Sequence, residues 1–407
     1  MKYFQYMEKT MQCTIKSKHK FIIFYTLINT IISLNVYAHG ENAMRPVYSL
    51  NKALMSKLNP KIYSTKKNKI EGMFDVPVNN TIATNKKGNA ITLIHFKEDK
   101  IKYDTLKSDF LDYVSGGDDG YMSIFSEDTI GYSIGRGFLL FNIKNNKFSY
   151  NSIAGGFDYK ISQIEVVDPE KKIFIFKIRD VSRRNPTFLR LMDLSEEPGK
   201  ILAEKEVGPC GIVIINKIIF VYHANEIYAM NINFEKVAHP LVAIFDKEKH
   251  KDYGKTLELI IHPTLPFAIL NEEKRGESYR DTKTAVWCVS WRENDMNSDK
   301  PKMIKLLSES TYHFTFTYDG KWLWFVDASI SPRNFILMPV NPDLPYFIDK
   351  PIYLGEYPKY LSGNAMTRNP SGLVISENEG YEGKCWLKKW DFTEAEKLLE
   401  KNRINEH

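Results

Sequence analysis

From about Met73 to Phe392 the chain alternates short apolar runs with short polar turns. The stretch Phe316-Thr317-Tyr318-Asp319-Gly320-Lys321-Trp322-Leu323-Trp324-Phe325-Val326-Asp327 sets the pattern: a strand, a turn at Asp319-Gly320, and a second strand rich in aromatics. Gly320 takes φ > 0 without steric cost, so the turn reads as a β-hairpin. The same arrangement recurs with turn positions at Asn85, Ser126, Asp168, Asn216, His262, Tyr318 and Asn369, separated by 41, 42, 48, 46, 56 and 51 residues. A further apolar run follows each turn, and several close on Asn142, Asp193, Asn231, Asn341 or Asp391. An Asx-type bond from such a side chain to the backbone holds the turn into a following outer strand. A repeat of roughly 40–50 residues carrying four strands is the size of one propeller blade.

The pattern therefore predicts an all-β fold: a seven-bladed β-propeller over residues 60–392. The last unit supplies three strands, near 365–367, 373–376 and 385–390, and then turns helical. Its missing fourth strand is expected from the other end of the chain, Lys61-Ile62-Tyr63-Ser64-Thr65-Lys66, which would close the ring by covering an open edge. Residues 393–407 read as a short helical tail capped by Asp391 or Thr393, a surface appendage. Residues 39–59 read as a polar leader with a weak helical stripe at Leu50, Leu54 and Leu58.

These repeats, with the closing Trp390-Asp391, resemble the WD40-like propellers, and the Tyr318-Asp319-Gly320-Lys321 turn is similar to that of TolB-like periplasmic propellers. The resemblance spans about residues 60–392. The Gly-His dipeptide of WD40 repeats is missing from it, so it implies a fold and no particular activity.

The N-terminus changes the charge argument. Lys16, Lys18 and Lys20 precede an apolar run from Phe21 to Val36, and Val36-Tyr37-Ala38 then places small residues where a signal peptidase cuts. The run is 16 residues long, against the ~20 that a spanning helix needs. Residues 1–38 are thus expected to be a signal peptide, with His39 as the mature start and a periplasmic or secreted product; membrane contact is expected only through this segment if it stays uncleaved. Its removal leaves 51 basic and 49 acidic residues, so the net charge falls from +6 to +2. That balance gives no case for nucleic acid. Cys210, Cys288 and Cys385 have no metal-binding spacing and read as buried thiols.

Candidate chemistry is sparse. Gly116-Gly117-Asp118-Asp119-Gly120 lacks the spaced acids of a calcium loop; Asp118 and Asp119 are the only cation candidates, and neither a metal nor a cofactor is expected. His262-Pro263 with Phe267-Ala268 is similar to a turn in lactonase-like propellers, yet a turn-stabilising histidine fits the repeat better. No nucleophile, phosphate-loop or zinc motif accompanies it. Polar insertions between the second and third strands carry Arg183, Arg184, Arg275, Tyr279, Arg280, Arg333 and Tyr381. In a propeller these loops share one face, and mixed Arg and Tyr suits a protein or polar-ligand surface. The expected function is a binding or scaffolding module. The alternative is a propeller enzyme working at the channel mouth, such as a lactonase-like hydrolase.

Overall fold

Short apolar strands between polar turns satisfy their backbone groups only by pairing with neighbours. In the computed structural model they pair, among the described residues, into seven sheets: five of four successive strands, one of three plus a strand from the N-terminal side, and one of four plus a strand from the N-terminal side. From residue 46 onward the structure describes all of the chain except 49, 51–54, 66–69, 71, 77, 88–89, 99, 108–121, 127, 135–136, 146, 153–158, 169, 181–186, 197–198, 209, 224–225, 249–254, 275–282, 294–301, 309–310, 329–331, 380–383 and 407. Asp118 and Asp119 lie outside the described residues, as does the predicted signal segment.

Sheet 1 holds Met73–Asp75, Thr81–Lys87, Ala90–Lys97 and Lys100–Lys107; sheet 2 holds Met122–Ser126, Thr129–Ile134, Gly137–Asn142 and Lys147–Ser152. Sheet 3 is Tyr159–Asp168, Ile173–Asp180, Thr187–Asp193 and Lys200–Glu206, and sheet 4 is Gly211–Ile215, Ile218–His223, Glu226–Asn231 and Lys236–Val237. Sheet 5 is Lys255–Ile261, Phe267–Lys274, Lys283–Ser290 and Met303–Leu307. Sheet 6 is Thr311–Phe316, Trp322–Asp327, Asn334–Pro339 and Ile352–Glu356. Sheet 7 is Leu361–Thr367, Gly372–Asn378 and Cys385–Asp391, and its fourth strand is Lys61–Ser64, antiparallel with Tyr63 opposite Leu387. The partner expected for that segment is the one observed.

Hydrophobic layers link successive sheets. Val76, Ala83 and Leu93 of the sheet 1 region pack with Ile130 and Phe141 of sheet 2, and Ile175 and Leu191 of sheet 3 with Ile219 and Met230 of sheet 4. Phe267 and Val286 of sheet 5 meet Phe325 and Ile336 of sheet 6, whose Trp324 and Phe335 face Leu373 and Trp390 of sheet 7. Val374 and Leu387 of sheet 7 then pack with Ile82, Ile94 and Phe96 of sheet 1. Consecutive alternate residues of each strand serve opposite neighbours, which is why these strands read as nearly unbroken apolar runs.

The Asx reading of the third-strand ends holds. Asn142 Oδ1 accepts from the Lys144 and Asn145 amides at 3.1 Å, Asn231 Oδ1 from Asn233 at 2.9 Å, and Asp193 Oδ1 from Ser195 at 2.8 Å. Asn341 and Asp391 do the same for Asp343 and Thr393, at 3.0 and 3.1 Å.

Four readings need correction. The turn of the first unit is not at Asn85, which lies within Thr81–Lys87; it is one hairpin earlier, at Asn79 and Asn80. Its first strand has only three residues, too short to register as an apolar run. Second, the stretch taken for a polar leader is engaged from residue 46: Val47 and Tyr48 donate to Lys305 O and Leu306 O at 3.0 and 2.9 Å, and Ser56–Lys57 runs parallel to Ile352–Tyr353. Leu50 and Leu58 are buried because they reach the cores of sheets 5 to 7 from outside. Third, the C-terminal helix, α1 (Phe392–Glu406), is no appendage, since Phe392 and Ala395 are fully buried against Trp322 and its neighbours. Fourth, a helix over Pro240–Glu248 follows the two-residue outer strand of sheet 4 and was not anticipated; Leu241, Ile244 and Phe245 bury one face of it.

Candidate functional site

Of the seven predicted site residues, Arg333 alone lies among the described residues; Arg183, Arg184, Arg275, Tyr279, Arg280 and Tyr381 lie outside them. Arg333 stands just before Asn334–Pro339, at the end of sheet 6 where its second strand has finished. The guanidinium Nη1 donates to Tyr312 Oη at 2.8 Å and lies 5.3 Å from the Tyr312 ring and 6.0 Å from the Tyr357 ring. Its carbonyl accepts from the Tyr357 amide at 2.7 Å, which ties the two residues together through the backbone. A guanidinium beside aromatic faces is favoured over an ammonium, being planar and weakly hydrated. Arg333 remains exposed, so its outer N–H groups still face solvent.

His313 completes this cluster. It sits on the first strand of sheet 6 with φ of 58°, next to an irregularity between Tyr312 and Thr315, and its ring meets Tyr312 edge-on at 4.6 Å. A non-glycine residue in that region carries strain that surrounding structure must hold. Partial burial, and then the Arg333 charge, keep His313 below the ordinary imidazole range. The site thus offers a fixed cation, two tyrosines and a neutral imidazole on one end of the sheet. Sequence reasoning found the arginine but not its company, because Tyr312 and Tyr357 are brought in by pairing rather than proximity.

At the opposite end of the sheets the polar side chains are committed to one another. His262 Nδ1 accepts from the Thr264 and Leu265 amides at 3.1 and 2.8 Å, which leaves the proton on Nε2, and that nitrogen donates to Gly320 O at 2.8 Å. The ring stacks on Phe267 at 4.9 Å, and burial holds it below the usual range. Both nitrogens are therefore used in a turn and in the seam between sheets 5 and 6. Gly320, at φ 69°, is also where an added Cβ would come within 2.7 Å of the His262 ring. Nearby, Tyr318 donates to Asp75 Oδ2 at 2.6 Å, the Met366 amide donates to Asp75 Oδ1 at 2.6 Å, and Arg368 lies 3.9 Å from the Tyr318 ring. These contacts fasten sheets 6, 7 and 1.

A third constellation has the order of a hydrolytic triad. Thr81 Oγ1 lies 2.9 Å from His95 Nδ1, and His95 Nε2 lies 3.0 Å from Asp104 Oδ2. Thr81, however, is fully buried and gives its proton to Asn79 O at 2.8 Å. No substrate reaches that hydroxyl, and His95 cannot take a proton already spent. The line binds three strands of sheet 1 together.

A cleft of about 170 Å³ lies between sheets 4 and 5, lined by Phe220, His239, His262, Leu265, Pro266 and Trp291 among others. Its His239 accepts from the Leu241 amide at 3.1 Å, capping the helix Pro240–Glu248, and meets Phe220 and Trp291 edge-on.

The chain is similar in structure to the β-propeller domain of Cps50 (Swd1) from Myceliophteria thermophila, with a TM-score of 0.50 and 10% identity over 82% of this chain and 99% of that one. This is a β-propeller fold. No family model matches the chain, and no curated protein matches it. In the propeller, the first strand of each sheet is the innermost and the second-to-third loops share one end. Arg333, Tyr312 and Tyr357 accordingly belong to the loop end, and His262, Asp75 and Tyr318 to the opposite end.

Proposed function

We propose that the chain is an exported, seven-bladed propeller that works as a binding module, holding a protein partner or polar ligand at the loop end of the ring. The reading of seven blades is supported by the packing of sheet 7 on sheet 1 and by the pairing of Lys61–Ser64 with Cys385–Asp391, which would make that segment the closing strand. One observation carries the binding reading: Arg333 is pre-positioned by two tyrosines while its charge stays at the surface. A rigid aromatic–arginine patch is what anchors many protein interfaces. Arg183, Arg184, Arg275, Tyr279, Arg280 and Tyr381 belong to the equivalent connections of sheets 3, 5 and 7, and would widen the same surface. Export rests on the charged, apolar and small-residue order of residues 16–38.

Two measurements test this. Arg333→Glu is expected to abolish capture of the partner from the native envelope fraction while the melting temperature stays within about 2 °C of wild type; undiminished capture would remove this surface from the proposal. N-terminal sequencing of the exported protein is expected to begin at His39, whereas an intact Met1, Met7 or Met11 terminus in the membrane fraction would replace the signal peptide by an anchor.

A further inference from the structure

Between sheets 5 and 6 the apolar core stops short of the loop end, and it stops on oxygen. On the second strand of sheet 5, Phe267 and Ile269 face sheet 6, and two residues on the same face holds Asn271. On sheet 6, Leu323 and Phe325 face sheet 5 and are followed by Asp327, while Ile336 and Met338 are preceded by Asn334. Asp327 is directly opposite both Thr311 and Asn334, so these three side chains share one face. Glu258 of the innermost strand is directly opposite Asn271 and so faces the same way.

Asn271 joins the two halves, because its Nδ2 donates to Thr311 O at 2.7 Å. That bond also settles its amide orientation, since a carbonyl can only accept. Asn271, Thr311, Asp327 and Asn334 are 2%, 4%, 1% and 1% exposed. Yet Asn271 Oδ1, Thr311 Oγ1 and Asn334 Oδ1 have no hydrogen-bond partner. Leaving one such group unpaired costs about 1–3 kcal/mol, and three at one level of one seam call for a common partner.

We propose that this seam is a binding site for one hard, oxygen-preferring cation of the calcium class, held by Glu258, Asn271 Oδ1, Thr311 Oγ1, Asp327 and Asn334 Oδ1. The chemistry of the set is that of acceptors: two carboxylates, two amide oxygens and a hydroxyl, which is the ligand type that calcium takes. A single buried water brings only two protons to such a layer, whereas a cation serves every lone pair at once. Glu258, half-buried and opposite Asn271, adds a carboxylate to the layer from the innermost strand.

The test uses the full chain, stripped with a chelator and returned to ~1 mM Ca²⁺, the range of extracellular calcium modules. Equilibrium dialysis is expected to find one calcium per chain, with a rise in melting temperature on adding the ion. Glu258→Gln and Asn271→Ala are each expected to weaken calcium binding at least tenfold, and the double variant Asp118→Asn, Asp119→Asn to leave it unchanged. A wild-type chain that binds no calcium would overturn the site and leave the oxygens to buried water. Unchanged affinity in Asn271→Ala, or loss of binding in the Asp118/Asp119 variant, would overturn it by placing the ion elsewhere. The wild-type stoichiometry and the Asn271→Ala result stand even if Glu258→Gln does not accumulate.

Discussion

Sheets 3 and 5 each end in an outer strand, and the two strands are built by opposite rules. In sheet 3, Lys200–Glu206 has no buried residue, carries Lys200, Glu204, Lys205 and Glu206 beside the exposed Ile201 and Leu202, and has no further strand beside it among the described residues. In sheet 5, Met303–Leu307 is almost wholly buried and apolar, and the segment at Val47 and Tyr48 lies along it. The outer strand of sheet 1, Lys100–Lys107, also follows the charged rule, and that of sheet 6, Ile352–Glu356, the buried one. An open edge must repel other strands, and charge does this at little cost. A covered edge is free to join the core. The described residues between 46 and 64 make the difference: Val47 and Tyr48 lie against sheet 5, Ser56–Lys57 against sheet 6 and Lys61–Ser64 against sheet 7.

Removing that passage should therefore have the largest effect. Deletion of residues 46–65 is expected to lower the melting temperature by more than 10 °C, or to prevent soluble expression, as three apolar edges open together. A deletion variant that melts within 2 °C of wild type would show that the covering is incidental.

Next come the anchors of the passage. Trp390 Nε1 donates to Leu58 O at 3.1 Å and to Leu354 O at 2.8 Å, joining the N-terminal chain to sheets 6 and 7. Leu58→Ala should cost about 2–4 kcal/mol, and Trp390→Phe about 1–3 kcal/mol through two carbonyls left unpaired. Urea titration measures both. Costs below 0.5 kcal/mol would mean that the edge, not its side chains, holds the segment.

The seam at His262 ranks third. His262→Ala should cost about 2 kcal/mol, while His262→Asn, which supplies the acceptor used at other turns, should recover about half. His262 and His239 both lie below the ordinary imidazole value in the folded state, chiefly through burial. The unfolded chain then binds more protons as the pH drops below about 6.5, so stability is full above that value and is lost progressively on acidification. Melting followed between pH 7.5 and 5 should show this fall, and His262→Asn should flatten it; an unchanged slope would assign the acid sensitivity elsewhere.

The smallest effect belongs to the open edge. Lys200→Val should change stability by less than about 0.5 kcal/mol yet shorten the soluble lifetime of concentrated protein. Equal solubility would deny that charge guards this strand.

Much of the architecture was legible because side chains announce it. Asn142, Asp193, Asn231, Asn341 and Asp391 were readable as turn residues since their bonding is local and depends on residue type. The fourth strand of sheet 7 was found by counting strands. The parallel pairing of Ser56–Lys57 was not, because a two-residue edge contact is made by backbone alone and leaves no periodicity. The helix Pro240–Glu248 escaped notice because its apolar positions Leu241, Ile244 and Phe245 span little more than a turn and read as one more short apolar run. At the candidate site Arg333 was found by its loop, whereas Tyr312 and Tyr357 lie 21 and 24 positions away and were indistinguishable from other strand tyrosines. Asn271, Thr311 and Asn334 were equally silent, since only register reveals that they share a level.

The passage from Pro46 to Ser64 also orders events in time. It is among the first parts of the chain to be made, but its partners at Met303–Leu307, Ile352–Glu356 and Cys385–Asp391 are among the last. Contacts so distant along the chain form slowly, because the whole intervening polypeptide must first be ordered. Until synthesis passes Asp391, the apolar outer strands of the late sheets have no cover, and early sheets stand beside a neighbour not yet made. The interval is when this protein is most exposed to wrong strand partners, and the charged edges at Lys100–Lys107 and Lys200–Glu206 are already in place to outlast it.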